Sequence, residues 1–197
     1  MIVKNSNELV SVFNNIFGKC IIEEKVREIS IEELEENGKG KINIIIKKGN
    51  KALKIKPNDK INIGCIKKPN KPDGIVFEIN FKQKKIIVYL VELKKNLLSK
   101  LEKAIEQLSK AYWFVKSLSL EECFDMEFVL ILGYKDELNE QNLELFRENE
   151  PNLLLREAYN AIYEKYKNRK NIKFPVKLPF CKFKLLNFEL KKMEDII

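Results

Sequence analysis

Two runs rich in β-branched and aromatic residues, 74–81 and 85–93, are separated only by Lys82-Gln83-Lys84, and that spacing constrains the chain more than any other feature. Strands joined so closely fold back on each other as an antiparallel hairpin. A turn at Lys82-Gln83 sets Ile79 opposite Ile86, Phe77 opposite Val88, Ile75 opposite Leu90 and Asp73 opposite Glu92. Side chains alternate between the two faces of a strand, so Glu92 and Lys94 share a face, and Asp73 shares it with them. The rest of that face is apolar. Two carboxylates and one ammonium therefore gather at the end of a hydrophobic ladder.

The elements around the hairpin follow from periodicity. Leu97, Leu101, Ala104, Ile105, Leu108, Ala111, Tyr112, Val115 and Leu118 form one helical stripe, with Ser99 and Glu102 at capping-box spacing. The run 127–132, apolar throughout after Glu127 and ended by Gly133, predicts a buried central strand. Upstream, Leu9, Val12, Phe13 and Ile16 predict a helix over 7–17, with Ser6 or Asn7 as N-cap. The acidic segment 21–36 fits a second helix, or a strand and a short helix. Strands are expected over 42–46, 52–55 and 61–66, with a tight turn at Gly49-Asn50 between the first two. Pro69 and Pro72 bracket a lysine-rich loop leading to Asp73. Residues 136–150 are polar and suggest a loop or mobile helix, and Pro151 opens a further helix reaching about residue 166. From 173 to 192 lysines interleave with Phe174, Phe180, Phe183 and Phe188. No internal repeat or long linker divides the 197 residues, which are expected to form a single domain.

Composition removes several chemistries. The chain has no histidine, which excludes His-based acid–base catalysis and the Ser-His-Asp and Cys-His nucleophile systems. Its four cysteines, Cys20, Cys65, Cys123 and Cys181, are scattered without a CxxC pair, unlike the ligands of a zinc or iron–sulfur site. An active site here must run on carboxylates, lysines, hydroxyls or a hard metal ion. No apolar stretch approaches the ~18 residues that cross a bilayer. The N-terminus lacks the apolar core of a signal peptide, so a cytoplasmic protein with no membrane partner is expected.

Asp73 and Glu92, held opposite each other, repel unless a cation sits between them. Mg²⁺ suits such a place, because it binds through one or two carboxylates, waters and substrate phosphate. These residues resemble the PD-(D/E)xK nuclease superfamily, which includes restriction enzymes and archaeal resolvases. The match is Pro72-Asp73-Gly74 at the start of one strand and Glu92-Leu93-Lys94 at the end of the next. The triplet alone is unspecific, since Glu23–Lys25 and Glu189–Lys191 repeat it, but only Glu92–Lys94 ends an apolar strand paired to a Pro-Asp-Gly start. The resemblance spans about residues 70–133. It implies an α/β, restriction-endonuclease-like αβββαβ core over about 41–133, with a mixed central sheet flanked by helices, an N-terminal helix, and a C-terminal helix plus basic tail. It further implies a metal-dependent endonuclease that hydrolyses DNA phosphodiesters by a metal-activated water. Asp73, Glu92 and the Leu93 carbonyl would hold Mg²⁺ (or Mn²⁺), and Lys94 would serve the water. The family often adds a third acid on an early helix. Glu8, Glu23, Glu24 and Glu28 are all candidates, and the sequence does not choose among them. Cleaving both strands would need two sites, for which a homodimer is the common solution. The alternatives are a catalytically inactive nucleic-acid-binding protein on the same fold, or a non-enzymatic interaction protein.

Charge is segregated along the chain. Residues 1–40 carry net −3 and residues 117–164 net −9, whereas 41–116 carry 19 lysines against 6 acids, net +13, and 165–197 carry net +7. Lys100, Lys103, Gln107 and Lys110 recur at spacings of three and four as a polar stripe that, with Lys95 before it, suits a phosphate backbone. The competing explanation is a Lys- and Ile-rich composition of the kind that keeps a thermophile's protein soluble. A titration of DNA binding against salt separates the two. Lysine–phosphate contacts give a log–log slope of roughly −0.9 per neutralised phosphate on duplex DNA, whereas a flat response means that the charge only solubilises.

Overall fold

The hairpin forms as β5 (Gly74–Asn80) and β6 (Lys85–Lys94), with Ile75–Leu90, Phe77–Val88 and Ile79–Ile86 as cross-strand pairs. Its connection is a four-residue turn, 81–84, centred on Lys82-Gln83. Asn80 fixes it: its Oδ1 accepts from the Gln83 N–H at 2.9 Å, and Lys84 closes the turn at φ 49°. The computed structural model describes residues 6–17, 22–25, 27–32, 41–55, 72–94, 97–134, 140–149, 156–157, 159–160, 162–164 and 181–187.

The hairpin sits at the centre of a mixed six-stranded sheet. On one side β4 (Lys51–Ile55) pairs antiparallel with β5, and β1 (Ile22–Lys25) antiparallel with β4. On the other, α2 (Leu97–Lys116) carries the chain back so that β7 (Asp125–Tyr134) lies parallel to β6. The apolar stripe of α2 explains that placement, since Leu101, Ala104, Leu108, Ala111, Tyr112 and Val115 are all buried. β8 (Cys181–Asn187) then adds parallel to β7. The basic tail therefore includes a sheet strand.

Both faces of the central strands are covered, which is why they read as near-continuous apolar runs. On one face α2 and α1 (Ser6–Phe17) pack on Phe77, Val88, Leu90 and Leu130, with Leu9 and Phe13 of α1 buried among them. Among the described residues the other face carries no helix. The acidic segment read as helix, or as strand and helix, instead supplies β1 and β2 (Glu28–Glu32) within its described part. β2 pairs with β3 (Lys41–Ile45) as a separate two-stranded sheet, whose Ile29, Ile31, Ile42 and Ile44 bury Val76, Val91, Leu93 and Ile131. Ile29 and Ile31 alternate with Glu28, Ser30 and Glu32, a period of two that the acidic composition obscures.

The turn at Gly49-Asn50 is present, with Gly49 at φ 89° and Asn50 N–H bonded to the Lys47 carbonyl at 3.0 Å. It passes the chain from one sheet to the other, because β3 and β4 take different partners. Glu78 fastens this passage. Its buried carboxyl group accepts from Lys47 N–H, Asn50 Nδ2 and the Tyr89 hydroxyl, at 2.9, 2.7 and 2.7 Å. Lys54 Nζ donates to the Ser30 carbonyl and ties the sheets a second time.

Residues 140–149 form α3 (Glu140–Asn149) within the segment read as a loop or mobile helix. Residues 156–157, 159–160 and 162–164 are helical and bury Tyr159, Ile162 and Tyr163. The strand expected over 61–66 and the lysine-rich loop before Pro72 lie outside the described residues. Among the described residues no helix is long and apolar enough to cross a membrane.

Gly74 is where the two layers press closest. A Cβ there would lie 2.4 Å from Cδ1 and 3.0 Å from Cγ1 of Ile31, a side chain with no exposure and little room to move. Gly74→Ala is expected to destabilise the protein by about 1–3 kcal/mol through overpacking. Urea unfolding of wild type and variant measures it.

Candidate active site

Asp73, Glu92 and Lys94 meet where β5 begins and β6 ends. Just past the last ladder pair, Gly74–Val91, the Asp73 N–H donates to Glu92 Oε2 at 3.2 Å. In return Asp73 Oδ2 accepts the N–H of Leu93 at 2.6 Å, so each acid is tied to the strand of the other. Lys94 Nζ lies in ion-pair contact with Glu92 Oε1. All three residues belong to the face covered by α1 and α2, because Ile75, Phe77, Val88 and Leu90 of the same parity pack there. Leu93, of opposite parity, buries its side chain on the other face.

Burial governs the electrostatics. Glu92 is 0% exposed and Lys94 3%, while Asp73 is half-buried. Loss of water and then the neighbouring Asp73 charge push the Glu92 carboxyl up to about 8; Lys94 and the Asp73 N–H pull the other way without prevailing. A divalent cation beside Glu92 and Asp73 would offset both causes. The donors fit an ion that completes its shell from water and substrate phosphate. Among the described residues no group of three or more Asp, Glu and Cys encloses a metal by itself.

The remaining candidates fall in several places. Glu8 is exposed on α1, and Glu28 is exposed on β2, which covers the opposite sheet face. Glu23 and Glu24 pair through their backbones with Lys54 and Leu53 on β4. Lys95 lies outside the described residues. Lys100 and Lys103 are partly exposed on α2, whereas Gln107 is 4% exposed and belongs to the buried side of that helix. Lys110 is exposed and ion-paired to Glu106. At ~1.5 Å per residue it stands about 20 Å along α2 from Leu97, toward the end of the sheet away from the acids. Sequence spacing does not single out Tyr134, which stands beside Lys94 only through the parallel β6–β7 register. No family model, curated protein or solved structure matches this chain.

The Glu92 shift has a testable sign. Its carboxyl is raised in the folded state from an ordinary 4.5 to about 8. Between those values the folded state holds a proton that the unfolded state has released, so stability falls as pH rises through that window. Melting temperatures from pH 5 to 9 without divalent metal should show the decline in wild type and a flatter profile in Glu92→Gln. Parallel profiles would mean that Glu92 is already ionised at the lower end.

Proposed function

We propose that this protein is a metal-dependent nuclease that hydrolyses phosphodiester bonds of DNA at Asp73, Glu92 and Lys94. The observation that carries the proposal is the convergence of two carboxyl groups and one ammonium at one end of the β5–β6 pair, around a buried acid whose ionisation a cation would relieve. With β1–β3 set aside as an insertion after α1, the remaining order α1, β4–β5–β6, α2, β7 matches the αβββαβ order of the restriction-endonuclease-like core and supports it as well. The +13 charge of residues 41–116 suits a polyanionic substrate.

Asp73 and Glu92, with the Leu93 carbonyl, would hold Mg²⁺ or Mn²⁺. A divalent ion there supplies Lewis acidity toward water and the phosphoryl oxygens. The chain supplies the orientation. The Leu93 N–H fixes the Asp73 carboxylate, and the Asp73 N–H fixes that of Glu92. Lys94 Nζ, beside Glu92, places a fixed positive charge where the phosphate gains negative charge, and its N–H groups orient the attacking water. Burial strengthens that charge by keeping bulk water from screening it.

A second function, DNA binding without cleavage, is favoured by one observation: only two acids converge among the described residues. Cleavage of labelled branched and linear DNA with Mg²⁺ or Mn²⁺ decides between them. Wild type should cut. Asp73→Asn, Glu92→Gln and Lys94→Ala should each cut on the order of a hundred- to a thousand-fold more slowly, while Lys25→Ala, in an unrelated Glu-x-Lys triplet, should not change. Either metal should raise the melting temperature of wild type by mass action and that of Asp73→Asn and Glu92→Gln much less. Tight DNA binding without cutting by wild type would establish the second function in place of the first.

A further inference from the structure

The parallel ladder between β6 and β7 sets Val88 beside Phe128, Leu90 beside Leu130, Glu92 beside Leu132 and Lys94 beside Tyr134. The apolar members of these pairs all belong to the core under α1 and α2, and Tyr134 packs against that core from its edge. Tyr134 thus shares a face with Asp73, Glu92 and Lys94, one strand away from the lysine. Adjacent strands are ~4.8 Å apart, so its side chain rises next to that of Lys94. Exposure distinguishes them. Glu92 and Lys94 are buried, whereas Tyr134 is partly open to solvent. At this end of the face a partly exposed phenol therefore stands beside a buried lysine.

We infer that Tyr134 contacts the substrate at this site, its phenol donating a hydrogen bond to a non-bridging oxygen of the phosphodiester. The inference rests on the nuclease function proposed above. A phenol suits the position, because its ring can pack on the edge of the core while its hydroxyl is both a donor and an acceptor. Lys94 beside it brings charge, and Tyr134 brings a directional donor, so together they would hold one phosphate oxygen in a fixed orientation. The alternative is a ring that only caps the core, for which phenylalanine would serve equally well.

The test is single-turnover cleavage by full-length wild type, Tyr134→Phe and Glu92→Gln, on DNA with oxygen or with sulfur of either configuration at one non-bridging position of the cleaved linkage. Tyr134→Phe should cut all-oxygen DNA on the order of a hundredfold more slowly, with melting temperature and DNA affinity unchanged. Sulfur is a poor acceptor, so one of the two sulfur configurations should slow wild type and leave Tyr134→Phe no slower than it already is. A Tyr134→Phe protein that cuts at the wild-type rate overturns the inference. So does one slowed by the same factor on all three substrates, which marks a structural role. In both cases Glu92→Gln remains defective and the nuclease function stands. If folded wild type cuts none of the substrates, that function fails and this inference falls with it.

Discussion

A carboxyl group with no exposure, at the end of a strand covered on both faces, is the constraint on which this end of the molecule depends. Ionising Glu92 there costs several kcal/mol unless its surroundings compensate. The compensation present is one backbone N–H from Asp73 and the Lys94 ammonium, set against the like charge of Asp73 itself. Burial and repulsion outweigh it. The acid is left poised to take a proton or a cation.

The other enclosed acid among the described residues makes the contrast plain. Glu78 lies on the same hairpin at the opposite parity and accepts from Lys47 N–H, Asn50 Nδ2 and the Tyr89 hydroxyl. Three donors satisfy that carboxyl group, and they bind the inter-sheet turn to the central strands. It is a fastening. Glu92 has one such donor and a lysine, with a second acid alongside. Two acids on one hairpin thus differ in role because their hydrogen-bond partners differ.

The layer that covers the far face also shapes the site. Ile31 of β2 leaves no room for a side chain at Gly74, so the strand can start directly after Asp73 while the two sheets stay in contact. The small residue in Pro72-Asp73-Gly74 thus has a packing cause independent of any chemistry. The same layer buries Leu93 while Glu92 and Lys94 turn to the helical side. Packing on one face therefore holds the polar residues of the other in register.

What the sequence by itself determined was local. The gap between two apolar runs fixed the hairpin and its register, and alternation along the strands put Asp73, Glu92 and Lys94 on one face. The stripe of α2 and the apolar run within β7 were legible for the same reason, since each element carries its own periodicity. The separate β2–β3 sheet, the change of sheet at Gly49-Asn50 and the addition of β8 at the edge were decided only by tertiary structure. Strand partners and order depend on non-local pairing, and a short alternating strand such as β2 satisfies its pattern against any apolar surface. The α2 stripe shows the same limit. Lys100, Lys103, Gln107 and Lys110 share a spacing, yet packing against β6 buries Gln107, and helical rise carries Lys110 away from the acids. Tyr134 gained its place beside Lys94 in the same way. Its own strand fixed its parity, but only the parallel alignment of β7 with β6 fixed its neighbour.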